Sequence, residues 1–405
     1  MRLSGIRVWD GSGDAGLSTL SWDDGCITGL EPSGDDPWPE LAIVPGLVDT
    51  HVHMLGHAGE RGDPAGRDTF TWPLVSTREE QVLHVAANAQ KAMRHGVTTL
   101  RDLAADEAQA AVGRVFDQGH LSGPRVLASG GVGMTAGHLD LFTPPAVRER
   151  PPTADSPAEC RRLVRTWARA GLTGIKVYTS GGVLSIGDQV GWRNHTLEEL
   201  HATVDEAHAL GMLVAAHAHS AEGIRIALEI GADSIEHGTE MTPDVAAMLA
   251  ERRVPVAPTL LINEMIARAE VPVAPEAQQA AAELVAARDE AFRDAARAGV
   301  RFVLGTDASG YFVEFGDQWD ELRRMADVFD TGPEAVLRAA TSDAADSIGL
   351  GAVTGRIAPG LGADFVVMRG RPWERVRDLS ADSIVAVVCR GRVVAGALPV
   401  PSGST

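Results

Sequence analysis

Eight short apolar runs recur between residues 47 and 306, and stretches with helical periodicity follow most of them. The runs are Leu47–His53, Val97–Leu103, Arg125–Ser129, Gly174–Thr179, Leu213–His219, Ser234–His237, Val254–Thr259 and Phe302–Thr306. The helical stretches carry their own punctuation. Glu79–Arg94 repeats apolar or Ala positions at helical spacing. Thr196–Leu210 opens on Thr196-Leu197-Glu198-Glu199, a capping box with Thr196 as N-cap and Glu199 at N3, and Gly211 stops it. Ala277–Ala298 is Ala-rich and ends at Gly299. Eight strand–helix units predict an α/β fold, a (β/α)8 TIM-like barrel. A doubly wound open sheet is the alternative. No Gly-x-Gly-x-x-Gly opens a helix after the first strand, which counts against a dinucleotide site.

Both ends of the chain have a different texture. Ile6–Trp9 and Leu17–Trp22 are β-rich, with turn signals at Asp10-Gly11 and Asp24-Gly25. Ala363–Met368 and Ile384–Val388 are apolar strand runs, and Arg390-Gly391-Arg392 reads as a hairpin turn. Neither end buries enough surface alone. The expected organisation is a small β-sandwich domain from residues 1–42 plus 353–405, around a catalytic barrel at 43–352.

Charge and cysteine content narrow the partners. The net charge of −19 repels phosphate backbones and anionic lipid, so neither nucleic acid nor a membrane is expected. Cys26, Cys160 and Cys389 are scattered, with no Cys-x-x-Cys, which fits a reducing cytoplasm and argues against a thiolate metal site. The opening MRLSGIRVWDGSG has two arginines but no apolar segment after them, so it is not expected to act as a secretory signal, and no run of roughly 18 apolar residues is found. A small-molecule substrate and a homo-oligomeric assembly are expected.

Chemistry in such barrels sits at the C-terminal ends of strands, and those ends are rich in ligating groups. The first run ends in His51-Val52-His53, whose two imidazoles project to one face because side chains alternate along a strand. The fourth carries Lys176, the fifth His217 and His219, the sixth ends in His237, and the eighth leads into Asp307. Each has a plain explanation singly, a helix cap for Asp307 or a rim lysine for Lys176. Jointly they suggest a two-metal site. Imidazoles and a carboxylate suit Zn2+ or a similar borderline ion. Five ligands need a bridge to hold two ions. A desolvated Lys176 amine that takes up carbon dioxide becomes a carbamate with two oxygens to offer.

The order His-x-His, Lys, His, His, Asp resembles the amidohydrolase superfamily over nearly the whole chain. GIKVYTSGGV (174–183), VAAHAHSAEG (214–223), DSIEHGT (233–239) and LGTDAS (304–309) are similar to the imidazolonepropionase-like branch, which includes Xaa-Pro and Xaa-Arg dipeptidases, N-acyl amino-acid hydrolases and ochratoxin-type amidases. The resemblance implies that His51, His53 and Asp307 hold one ion and His217 and His237 the other, with carboxylated Lys176 and a hydroxide between them. It implies hydrolysis of an amide, with Asp307 as catalytic base and then acid. A lactone, carbamate or phosphotriester hydrolase is the nearest alternative. A deaminase or a catalytically dead metal-binding scaffold is further off.

Substrate contacts are expected from two long insertions, Gly131–Ser156 and Gly181–Asn194, since loops of that length in a compact domain are usually functional. His138 matches a position that binds the substrate carboxylate in the family. Tyr178 shares the inward face of Lys176, and His219 that of His217. Before the capping box the family often carries an aromatic residue; here His195 stands there, with Trp192 and Arg193 upstream, a departure that puts the familiar dipeptide specificity in question. His57, four residues past His53, is a further contact candidate.

Overall fold

Among the described residues, two seven-stranded sheets organise the chain. The computed structural model describes residues 1–61, 71–148 and 150–400. Four N-terminal strands, β1 (Arg2–Trp9), β2 (Asp14–Asp23), β3 (Cys26–Pro32) and β4 (Leu41–Pro45), begin the first sheet. Seven parallel strands in chain order make the second: β5 (Leu47–Val52), β6 (Val97–Ala105), β7 (Arg125–Val132), β8 (Gly174–Tyr178), β9 (Leu213–Ala218), β10 (Ser234–His237) and β11 (Val256–Ala257). The C-terminal strands β12 (Phe365–Arg369), β13 (Ile384–Cys389) and β14 (Arg392–Gly396) then return to the first sheet, whose order is β14-β13-β12-β4-β1-β2-β3.

The two chain ends meet at β4, which runs parallel to β1 and antiparallel to β12. The sheet therefore extends to Pro45, past the expected edge at residue 42. Alternation along β4 sends Leu41 and Ile43 into the core of this sheet and Ala42 and Val44 against the barrel. The sheet curls until Trp22 on β2 meets Phe365 on β12 edge to face, with ring centroids 5.1 Å apart, and Cys26 bridges Gly362. That closure encloses a core as a sandwich does. The expected hairpin is present, with Arg390 and Gly391 both at positive φ, the backbone that matches strand twist in a two-residue turn.

The eighth barrel segment closes the parallel sheet without forming a continuous strand. Phe302 bridges Val256 on one side and Ala308 bridges Val52 on the other. Asp49 ties this segment down: its carboxylate accepts from the Thr306 N–H at 3.1 Å and the Thr306 hydroxyl at 2.6 Å, while the Thr306 and Asp307 N–H groups also reach the His51 carbonyl at 3.2 and 2.8 Å. Gly305 lets this segment approach, since a Cβ there would lie 2.7 Å from Cβ of Ala257 and 3.0 Å from that of His51. β11 is shorter than its apolar run because Pro255 and Pro258 flank Val256–Ala257 and have no N–H to give.

Helices cover the outside of the barrel. Arg78–Arg94 and Leu197–Ala209 both begin in complete capping boxes, on Thr77 and Thr196, and Pro275–Arg297 begins with proline in its first turn. Among the described residues no helix is long and apolar enough to cross a membrane.

Candidate active site

The C-terminal ends of the barrel strands surround a cavity of about 230 Å³. His51, His53, Lys176, His217, His237 and Asp307 all line it, together with His138, Tyr178 and His219. The convergence follows from the parallel sheet: each strand presents its last inward residue at the same end of the barrel. His53 Nε2 lies 3.1 Å and His51 Nε2 3.6 Å from the same oxygen of Asp307. One ligating atom each of His51, His237 and Asp307 lies within 4.8 Å of the others. The same holds for His217, His219 and His237, so His237 joins both groups.

Burial keeps most of these imidazoles neutral, the form that offers a lone pair to a cation. It pushes His51 down to about 4 and His219 to about 3, and holds His217 and His237 well below the usual histidine range. His53 moves the other way; burial lowers it, but its hydrogen bond to Asp307 wins. The Asp307 carboxyl, although buried, is held below the usual range by His51 and His53. Lys176 is 2% exposed, its amine has no hydrogen-bond partner, and burial pushes it down to about 8.

Several of these side chains are fixed from behind. A Glu236 oxygen on β10 lies 2.9 Å from His51 Nδ1, on the side of the ring away from Asp307, which the other ring nitrogen faces at 3.6 Å. Glu236 is itself held by Arg101 on β6 at 2.7 Å and by the Ser234 hydroxyl at 2.6 Å. Burial pushes the Glu236 carboxyl up, yet Arg101 and His51 together hold it well below the usual range. Thr259 Oγ1 meets His237 Nδ1 at 2.8 Å, and Thr239 Oγ1 meets His219 Nδ1 at 2.8 Å. Thr259 adopts φ +45°, strained for a β-branched residue. The helix that follows it starts on Glu321, whose two side-chain oxygens accept from the next two backbone N–H groups, of Leu260 at 2.6 Å and Leu261 at 3.0 Å.

The two long insertions meet over the site. His138 Nδ1 lies 2.8 Å from Asp188 and 2.7 Å from Ser185 Oγ, both on the second insertion. Its ring stacks on His217 at 4.2 Å. Gly182 passes so close that a Cβ would sit 2.0 Å from Cε1 of His138. The Tyr178 hydroxyl is buried without a partner, and burial pushes its pKa up.

Four expected contacts lie outside the cavity lining. Trp192 and Arg193 are exposed at the end of the second insertion, and His195 turns away to bond the Ala154 carbonyl at 2.9 Å. His57 packs against His84 and Trp72 instead. The structure adds Asp102 and Asn263, both buried in the lining. Asp102 accepts from the Met54 N–H at 3.1 Å, and burial pushes its carboxyl up to about 7. Its sequence signal was available: Arg101-Asp102 is a charged pair inside an apolar run. Asn263, on helix Leu260–Arg268, has no comparable signal.

The amidohydrolase family pattern matches residues 42–394. The chain belongs to the amidohydrolase family. Ochratoxinase of Aspergillus niger is 29% identical over 369 residues, covering 86% of this chain and 74% of that protein. A solved Xaa-Pro dipeptidase with methionine bound in its active site superposes with a TM-score of 0.84 at 27% identity, covering 96% of this chain and 98% of the other. Imidazolonepropionase of Streptomyces griseus is 28% identical over 232 residues, 51% of this chain and 52% of its own. This amidohydrolase is a hydrolase acting on C–N bonds, in the imidazolonepropionase-like and dipeptidase-like branch, a family that generally uses divalent metals.

Proposed function

We propose that this chain is a binuclear metal-dependent hydrolase that cleaves a peptide or N-acyl amide bond of a small molecule. The observation that carries the reading is the buried, unpartnered Lys176 amine, set among neutral imidazoles and the Asp307 carboxylate. An amine lowered to about 8 has an appreciable free-base fraction near neutral pH, so it can take up carbon dioxide. That converts an orphaned group into a doubly ligating one. The donor set fits Zn2+: oxygen and imidazole nitrogen, with no thiolate among the lining residues. His51, His53 and Asp307 would hold one ion, His217 and His237 the other, and carboxylated Lys176 both. Two such ions, when bound, supply Lewis acidity toward the carbonyl and an attacking hydroxide at neutral pH.

The protein's own groups do the rest. Asp307, ionised in the folded protein, accepts the proton of the attacking water and delivers it to the leaving nitrogen, which would otherwise depart as an amide anion. Tyr178 stays protonated and can donate to the oxygen that gains charge. His138, stacked on His217 and anchored by Asp188, is placed to contact substrate, as is His219.

The test is amine release from L,L-dipeptides and N-acyl amino acids by protein confirmed to carry about two zinc ions per chain. Asp307→Asn should lose at least about a hundredfold in kcat while keeping much of the metal. Full activity in that variant, or silence of the wild type across both substrate classes, would reject the reading.

A further inference from the structure

A second chamber of about 390 Å³ adjoins the catalytic cavity. The two share Leu184 and Phe312 as a common wall. Beyond that wall the lining is hydrocarbon, chiefly Ile186, Val273, Ala274 and Ala277. Among the described residues no charged or amide side chain contributes to it, and the hydroxyl of Tyr311 at its edge donates to the Pro272 carbonyl at 3.0 Å. Ile186 stands at the chamber 48% exposed. A large aliphatic side chain left in water beside an apolar hollow favours an apolar occupant. Three separate segments build the chamber: the second insertion, residues 272–277, and Tyr311-Phe312. The Tyr311–Pro272 bond ties the last two together, and Ile186 N–H on the Leu141 carbonyl at 3.0 Å anchors the second insertion to the first.

We propose that this chamber binds a long or bulky hydrocarbon substituent of the substrate, which passes between Leu184 and Phe312 while the scissile bond lies among the histidines. The inference rests on the amide-hydrolase reading of the inner cavity. Its own content is the substrate class: an amide with an extended apolar group on one side, as opposed to a compact polar dipeptide. The shared Leu184 and Phe312 place the chamber next to the inner cavity, which selects substrate as the occupant, because a group there remains covalently within reach of the site. Burial of hydrocarbon gives an affinity gain of about fourfold per methylene.

Calorimetry on metal-loaded protein would measure Kd for straight-chain carboxylates from acetate to decanoate. In parallel, kcat/KM would be measured for N-acylglycines of rising acyl length and for N-acetyl alkylamides of rising amine length. Ala274→Trp fills the chamber from an exposed helix N-cap that makes no side-chain capping bond, so the fold should tolerate it. Ile186→Asp places a charge at the same site. The expected result is a run of at least three methylenes with the fourfold gain in wild type. Both variants lose that gain while acetate binding and acetylglycine turnover stay within twofold. The series whose slope disappears in Ala274→Trp identifies the substituted side. A flat wild-type Kd series, or variants that keep the wild-type slope, would overturn the proposal. If no amide is hydrolysed but the Kd slope is present and variant-sensitive, the chamber stands and the amide reading falls.

Discussion

Replacing Arg101 by Met removes the cation that neutralises Glu236 at the back of the site. Both side chains are almost completely buried, 5% and 0% exposed, and their contact is 2.7 Å. Arg101 also donates to the Thr50 carbonyl at 2.6 Å and to Ser234 Oγ at 3.0 Å. Breaking one side of such a pair leaves an uncompensated buried charge, which costs about 3–5 kcal/mol. Replacing both partners by apolar residues of similar size costs much less, because the desolvation penalty disappears with the charges. Arg101→Met should therefore destabilise the metal-free protein by about 3–5 kcal/mol in urea unfolding with an unchanged m-value, and Arg101→Met/Glu236→Leu should recover most of the loss. In Arg101→Met the lone carboxylate also draws a proton to His51, so the His51 titration should rise from about 4. A loss below about 1 kcal/mol, or a double variant as unstable as the sum of the singles, would refute the account of Glu236 as a cation-dependent anchor.

Lys176 makes a pH signature. Its amine is depressed from 10.5 to about 8 in the folded state, so the unfolded chain binds more protons between those values. Stability of the metal-free protein should rise by roughly 3 kcal/mol from pH 8 to 10.5, and Lys176→Met should flatten that rise in urea midpoints measured across the range. Thr259→Val removes the oxygen that fixes His237 and should weaken metal binding about 10–100-fold by competition with a chelator, whereas Thr259→Ser should stay near wild type. Gly182→Ala forces His138 off its stack on His217, because the new carbon would sit 2.0 Å from the ring; KM should rise with little change in metal content.

Strand-end residues were readable because a two-residue period couples position to direction: His51 and His53, or His217 and His219, must look the same way. The parallel order of β5–β11 then brings distant motifs together without further information. Loop residues follow no such period. Arg193 and His195 carry suitable chemistry, yet one lies in solvent and the other bonds a backbone carbonyl, and nothing local in the sequence dictates either orientation. The groups behind the strand-end histidines were hidden for another reason. Arg101 and Glu236 are 135 positions apart and sit on strands not adjacent in the sheet, so their pairing exists only once the barrel is closed. The sequence showed charges inside apolar runs but not which of them would meet.

The join between β4 and β12 has a consequence for how the protein is made. Pro45 pairs with Phe365, 320 positions later. At translation speeds of about 5–20 residues per second, the β12 side of β4 waits on the order of 16–64 seconds on the ribosome for its partner. During that interval an apolar strand edge is open to any other extended chain. The strand that follows it carries His51. Newly made chains are therefore most exposed to mispairing in the segment that leads directly into His51 and His53, and slowed synthesis between β4 and β12 should lower the yield of active protein more than slowed synthesis before β4.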